Sequence, residues 1–380
     1  MVENSTPKRS VFRRFVVVFF PALIFLCLAA AGITALSNRN LPAGQEMNDL
    51  LLPLEIATIQ EAAHLKAVLG ESIWPGWGQA EIPTLIFNDA FAFLLDYPDP
   101  PTGWDAADGS SGLYRRQLSQ LPEEPQNFAL QVGEQWVTSF TGREGGKAYL
   151  MNGINELLPE AAQAIFPYKL LFRFMLPTDQ YIAALLHESF HAYQATVAPE
   201  RFEAALAVYA HEPQYWQADA GMHEDWDAEV ALLVQAVEAD SDQEAADLAR
   251  QFLAQRARRR ESHQLAPELV MLERQIEWLE GTAMYIEFSS WRAGAQSADY
   301  QPLASLDDDP DFHDYDGFQS HWSRQLAEMK RQATGDHEIR FYFNGMAQGM
   351  LLDRLMPDWK TRVWEEDVWL ERLLAEAVGG

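Results

Sequence analysis

The run Leu186-His187-Glu188-Ser189-Phe190-His191-Ala192 constrains this chain more than any other stretch, because its spacing has chemical meaning only on a helix. Residues four apart stack on one helical face, so His187 and His191 can direct both imidazoles at one metal ion while Glu188 lies beside it. Chance is a poor source of the pattern: for nine His in 380 residues, roughly 0.02 accidental matches arise in a chain of this composition. Thr178 after Pro177 provides an N-cap and Pro199 a stop, which predicts a helix of about 18 residues. Leu186, Phe190, Tyr193 and Val197 form its apolar stripe, and Ala184 and Ala195 leave room on the histidine face. The competing reading, two histidines that only satisfy local hydrogen bonds, does not account for this framing.

A catalytic metal of this kind needs a third protein ligand and an open fourth position. The metzincin continuation places Gly three and His six residues after the second His, where this chain has Gln194 and Val197, so that branch is excluded. Residues 267 to 291 read as one long helix opened by Pro267, with Glu273, Glu277, Glu280 and Glu287 near one face of an otherwise apolar sequence. Carboxylates in such a setting must be solvated or answer a cation. For those other than the ligand, a solvated face is the expectation.

HExxH followed on a distant helix by Glu280-Gly281-Thr282-Ala283-Met284-Tyr285 resembles the gluzincin branch of the zincin metallopeptidases. The resemblance covers the two motifs and their order, about residues 178 to 292. It implies that Glu280 is the third zinc ligand and that Gly281 lets its helix pack closely on the HExxH helix. The spacing departs from thermolysin-like enzymes, since Glu280 follows His191 by eighty-nine positions. At the thermolysin-like spacing stands His211, the rival ligand, although Pro213 argues against a regular helix there.

Lys8, Arg9, Arg13 and Arg14 precede an uncharged stretch, Phe15 to Ser37, long enough to span a bilayer. The basic flank should stay in the cytoplasm, with the body outside it. Ala29-Ala30-Ala31 also resembles a signal-peptidase site, so a cleaved signal peptide, leaving a secreted or periplasmic body, is the alternative. The single Cys, Cys27, lies in this stretch, and the body therefore has no disulfides. Residues 1–40 carry net charge +4 against −28 for the whole chain, which leaves −32 on the rest. Such a body repels nucleic acid, and no basic stripe offsets that. Arg256 to Arg260 read as a short basic patch on an exposed helix, paired with surface acids.

The predicted fold is α+β and zincin-like, with a cleft between two lobes. Residues 1–14 form a basic tail and 15–37 an anchor or signal peptide. Residues 40–177 make an N-terminal α/β lobe with a small sheet, and 178–380 a mostly helical lobe carrying the HExxH and third-ligand helices. Residues 42 to 70 read as helix; 84–87, 91–97 and 128–140 as strands; and 147–151 as a hairpin partner reached through the Gly142 to Gly146 turn. Further helices are read at 225–239, 243–259, 318–333 and 341–355, and 307–316 as a solvated acidic loop. The predicted function is zinc-dependent hydrolysis of peptide bonds in a peptide or protein substrate. His187, His191 and Glu280 would hold zinc, and Glu188 would take a proton from the attacking water. Tyr342 is chosen as oxyanion donor over Tyr285, His211 and His223. A non-catalytic envelope protein that binds a partner through a zincin lobe is the alternative, for which an intact Glu188 has no chemical purpose.

Overall fold

The computed structural model describes residues 29–39, 41, 49–99, 101–107, 112–219, 221–335 and 337–379. The chain is α+β, mostly helical, with one six-stranded mixed sheet. It divides into two compact units, one made of Asn48–Gly142 with Thr178–Gly380 and the other of Met1–Met47 with Arg143–Pro177.

The larger unit opens with helix α1, Pro53–Ile73, whose Pro53 sits in the first turn where a missing N–H costs nothing. The sheet follows: β1 Thr84–Phe87, β2 Phe91–Leu95, β3 Asp105–Ala106, β4 Leu113–Gln117, β5 Phe128–Val132 and β6 Gln135–Thr141, in the order β3-β4-β2-β1-β6-β5. Only β1 and β6 run parallel. Alternation along the strands gives the sheet two apolar faces. Ile86, Phe93 and Phe140 join the main core with Leu186 and Phe190 of the HExxH helix, whereas Leu85, Ala92, Leu94 and Val137 form a smaller cluster on the opposite face.

The stretch 128–140, expected as one strand, is a hairpin. Val132 pairs with Gln135 across Gly133 and Glu134, and Gly133 supplies the positive φ of 61° that so tight a turn demands. The hairpin partner is thus internal, and residues 147–151 lie instead in the helix Arg143–Leu157.

Helix α2, Thr178–Val197, carries HExxH. Thr178 puts its hydroxyl to a use other than the one expected, donating to Asp309 Oδ2 at 2.5 Å. Pro199 stops α2 and starts the next helix, Pro199–Ala207. Helices α3 His223–Glu238 and α4 Asp242–Ser262 match the expected segments within a few residues. The long helix from Pro267 is α5 Pro267–Ile276, a π-turn Glu277–Gly281, and α6 Thr282–Gln296. Helices α7 Phe318–Gln332 and α8 Ile339–Leu355 complete the frame, with a terminal helix Leu370–Ala377.

Two expectations about charge are overturned. Arg256 and Arg259 are buried, and together with Arg260 they pair with Glu229, Glu273, Glu277 and Glu371. Likewise Glu273 and Glu277 do not form a solvated face, because they answer these arginines in the interior.

In the smaller unit, residues 29–38 are helical, and the helices Arg143–Leu157, Glu160–Gln163 and Tyr168–Met175 follow one another. Asn38 Nδ2 donates to the carbonyls of Ala164 and Phe166 at 3.2 and 2.8 Å, and the Tyr168 hydroxyl donates to Asn155. Most of the stretch Phe15 to Ser37 lies outside the described residues. Among those described, no helix is long and apolar enough to cross a membrane.

Candidate metal centre

Helical spacing places His187 and His191 on one face of α2, with ring centroids 4.9 Å apart. His187, Glu188 and His191 each bring a donor atom within 4.8 Å of the others, a group able to hold a metal ion. The π-turn delivers a further carboxylate. Glu280 Oε2 stands 3.4 Å from His187 Nε2 and 3.2 Å from His191 Nε2.

Those distances discriminate between two explanations. A charge-assisted N–H···O bond closes to about 2.7–2.9 Å. Ligands at about 2.0–2.1 Å from a tetrahedral zinc are separated from one another by about 3.3 Å. The distances of 3.2 and 3.4 Å from one oxygen to two imidazole nitrogens are therefore longer than charge-assisted hydrogen bonds and near the separation of two ligands on one metal ion. His211 ends the short turn Val208–His211, and Glu280, unlike His211, pairs with both imidazoles of the group.

The atoms behind the donors are consistent with ligation. Gln194 Nε2 donates to the carbonyls of Trp278 and Leu279 at 3.2 and 3.0 Å and to Thr282 Oγ1 at 3.0 Å. That fixes which end of the amide is oxygen, so Gln194 Oε1, 2.8 Å from His191 Nδ1, must accept from the ring, which turns Nε2 towards Glu280. His187 Nδ1 faces Glu287 Oε2 at 3.3 Å, a carboxylate backing for the second imidazole. The π-turn matters here because its wider winding redirects the carbonyls of Trp278 and Leu279 to Gln194.

Electrostatics follow from burial among opposed charges. Burial would lower the His187 pKa, but the adjacent carboxylates of Glu280 and Glu287 reverse this and push it up to about 10. Burial would raise Glu280, yet the two histidines hold it well below the usual carboxylate range. Glu188 is raised, by burial first, against the opposing pull of His187 and His191. Its Oε2 has no hydrogen-bond partner.

No family model, curated protein or solved structure matches this chain.

The other predicted residues are distributed unevenly. The Tyr342 ring lies 6.3 Å from that of His187, and its hydroxyl is pushed far above the ordinary phenol range by burial and by Glu280. Tyr209, which nothing in the sequence singled out, joins it: its hydroxyl is 3.5 Å from Glu280 Oε1 and hydrogen-bonds with Tyr342. Tyr285 is elsewhere, donating to Asp353 Oδ2 at 2.6 Å and packed edge-on to Trp74 and Trp359. His223 sits 3.5 Å from Asp219 rather than at the centre. Gly281 packs against Gly345 of α8, not against α2: a Cβ built on it would meet Gly345 Cα at 2.4 Å.

The sheet borders the centre. Phe128 opens the edge strand β5 with its ring 4.5 Å from that of His191. A cleft of about 470 Å³ continues along this strand between Leu130, Trp136, Phe202 and Leu206.

Proposed function

We propose that this chain is a zinc-dependent metallopeptidase of the gluzincin type, its body held outside the cytoplasm by the apolar N-terminal stretch. The observation that carries the reading is the position of Glu280 Oε2, 3.2 and 3.4 Å from two imidazole nitrogens, close to the separation of two ligands on one zinc. His187, His191 and Glu280 would hold the ion. Zinc bound there supplies Lewis acidity, which acidifies water and polarises a peptide carbonyl.

The remaining steps belong to the chain itself. Glu188, whose pKa burial raises, takes a proton from the attacking water and passes it to the leaving amine. Tyr342 stays protonated at any physiological pH and donates a hydrogen bond to the developing oxyanion, with Tyr209 holding its hydroxyl. A zincin-like arrangement goes with this reading, the substrate backbone lying extended along β5 with side chains reaching into the adjoining cleft.

The test begins with metal content. The purified chain should hold about one zinc, and His187→Ala or His191→Ala should abolish binding. Glu280→Ala should weaken it severely while His211→Ala leaves it intact; the opposite result reassigns the third ligand. Glu188→Gln should keep zinc and thermal stability while hydrolysis of a broad peptide library falls about 10²- to 10⁴-fold. Wild-type protein that binds zinc yet cleaves nothing, and captures an envelope partner equally well with Gln at position 188, would make the non-catalytic binding role the better account.

A further inference from the structure

The helical segment 143–177 shares its unit with the residues that follow the apolar stretch Phe15 to Ser37. Thirteen large apolar side chains stand exposed among the described residues, and eight of them lie in this unit, the smaller of the two. Tyr149 is 85% exposed, Leu157 84%, Phe174 66% and Leu170 56%. Loose surface leucines are ordinary, but a concentration of this kind marks a surface that is covered in use.

The helix Tyr168–Met175 explains how so much apolar surface can face outward without misfolding the unit. It carries two apolar pairs at i, i+4 spacing. Tyr168 and Phe172 are buried, with Tyr168 against Phe166, while Leu170 and Phe174 point to the opposite side. Exposed Lys169 and Arg173 flank the outward pair. Basic residues beside an apolar face are features of a helix that lies in a bilayer interface.

Charge separates this segment from the rest of the chain after residue 40. Residues 143–177 contain Arg143, Lys147, Lys169 and Arg173 against Glu144, Glu156 and Glu160, a net +1, within residues 41–380 that total −32. An acidic body is repelled by anionic lipid, and this segment is not. Continuity gives the last argument: Asn38, immediately after the apolar stretch, hydrogen-bonds the carbonyls of Ala164 and Phe166. The segment is therefore tied to the point where the chain would emerge from the membrane.

We propose that residues 143–177 are a membrane-interfacial element whose outward face, centred on Leu170 and Phe174, lies among the headgroups and upper acyl chains of a bilayer. This rests on the membrane reading of the N-terminal stretch, and the experiment separates the two. The full chain with Cys27→Ser is reconstituted into phosphatidylcholine vesicles holding a minor share of phosphatidylglycerol. Spin labels are placed one at a time through Leu170→Cys, Phe174→Cys, Phe20→Cys and, as an exposed site in the other unit, Val68→Cys. Labels at 170 and 174 should collide with oxygen several-fold more often than with a water-soluble nickel chelate, and the label at 68 should do the reverse. If 20 reports lipid while 170 and 174 behave like 68, this inference falls and the anchor stands. If 170 and 174 report lipid and 20 does not, the inference stands without the anchor. Water-like behaviour at all four sites overturns both. Shielding of 170 and 174 from oxygen and nickel alike means that a second copy or another protein covers the face, and that also overturns it.

Discussion

Gln194 connects two elements that must agree within a few tenths of an ångström if the centre is to form. Its oxygen accepts from His191 Nδ1, and its nitrogen reaches the carbonyls of Trp278 and Leu279 beside Glu280. In Gln194→Leu these buried groups lose their partner at about 1–3 kcal/mol each. Zinc affinity, measured by competition with a chelator, should fall about 10- to 100-fold, and the melting temperature of the metal-free protein should fall too. Unchanged affinity would remove Gln194 from the support of the site. Tyr342→Phe separates chemistry from support: under the proposed mechanism zinc content should stay at wild type while kcat falls about 10²- to 10³-fold, because the variant lacks the hydroxyl proposed to meet the oxyanion. At this scale the sequence was informative where a residue's role depends on its own helix. His187, Glu188 and His191 are such residues. Gln194 was visible three positions after His191 but only as a mismatch to another motif, because its partners lie 84 to 88 positions further along the chain. Tyr209 sits on a short turn with no periodicity to mark it.

Helices were legible as elements because apolar periodicity and proline stops act locally, and the boundaries of α2, α3, α4 and α8 follow from them. The π-turn was not legible. It inserts one extra residue into a helical run whose composition looks continuous, and its reason is tertiary: Gly281 faces Gly345, and a Cβ on Gly345 would meet the Glu277 carbonyl at 2.3 Å. Backbone-to-backbone approach this close cannot be relieved by a rotamer change. Gly281→Ala should therefore destabilise the protein by several kcal/mol, more than ordinary overpacking at about 1–3 kcal/mol, and should shift Glu280 enough to lower zinc stoichiometry. Gly153→Ala is the control, since a Cβ there meets nothing within 4 Å and a helical Gly→Ala change stabilises by about 0.5–1 kcal/mol. Thermal melts with and without zinc read both. A Gly281→Ala protein as stable as the Gly153→Ala one would mean that the helix pair can separate without consequence.

Across the whole molecule, net charge was readable from composition, whereas the location of the charges was not. A run such as Arg256 to Arg260 looks like a surface patch because four helices must assemble before it acquires an interior. Once assembled, α3 contributes Glu229, α4 its arginines, α5 Glu273 and Arg274, the π-turn Glu277 and the terminal helix Glu371. A buried network of this size is fragile when one member changes charge. Burial would raise Glu371, but Arg260 and Arg256 overcome it and lower the pKa to about 2, from 4.5 for an ordinary glutamate. Glu273 is depressed further by Arg259 and Arg260, again against burial. Folded pKa values below the unfolded ones mean that these charges stabilise the fold fully above about pH 4.5, and that the contribution is lost as pH falls through about 2. Glu277 works in the opposite sense, because burial outweighs Arg256 and raises it. Glu371 alone accounts for on the order of 3 kcal/mol in the stabilising sense. Urea melts between pH 6 and pH 2 should show stability level at the upper end and falling steeply below about 4.5. In Glu371→Gln the protein should be weaker at pH 6, since three arginines lose their shared carboxylate, and its decline towards pH 2 should be shallower. An equal slope in the two proteins would place the acid sensitivity outside this network.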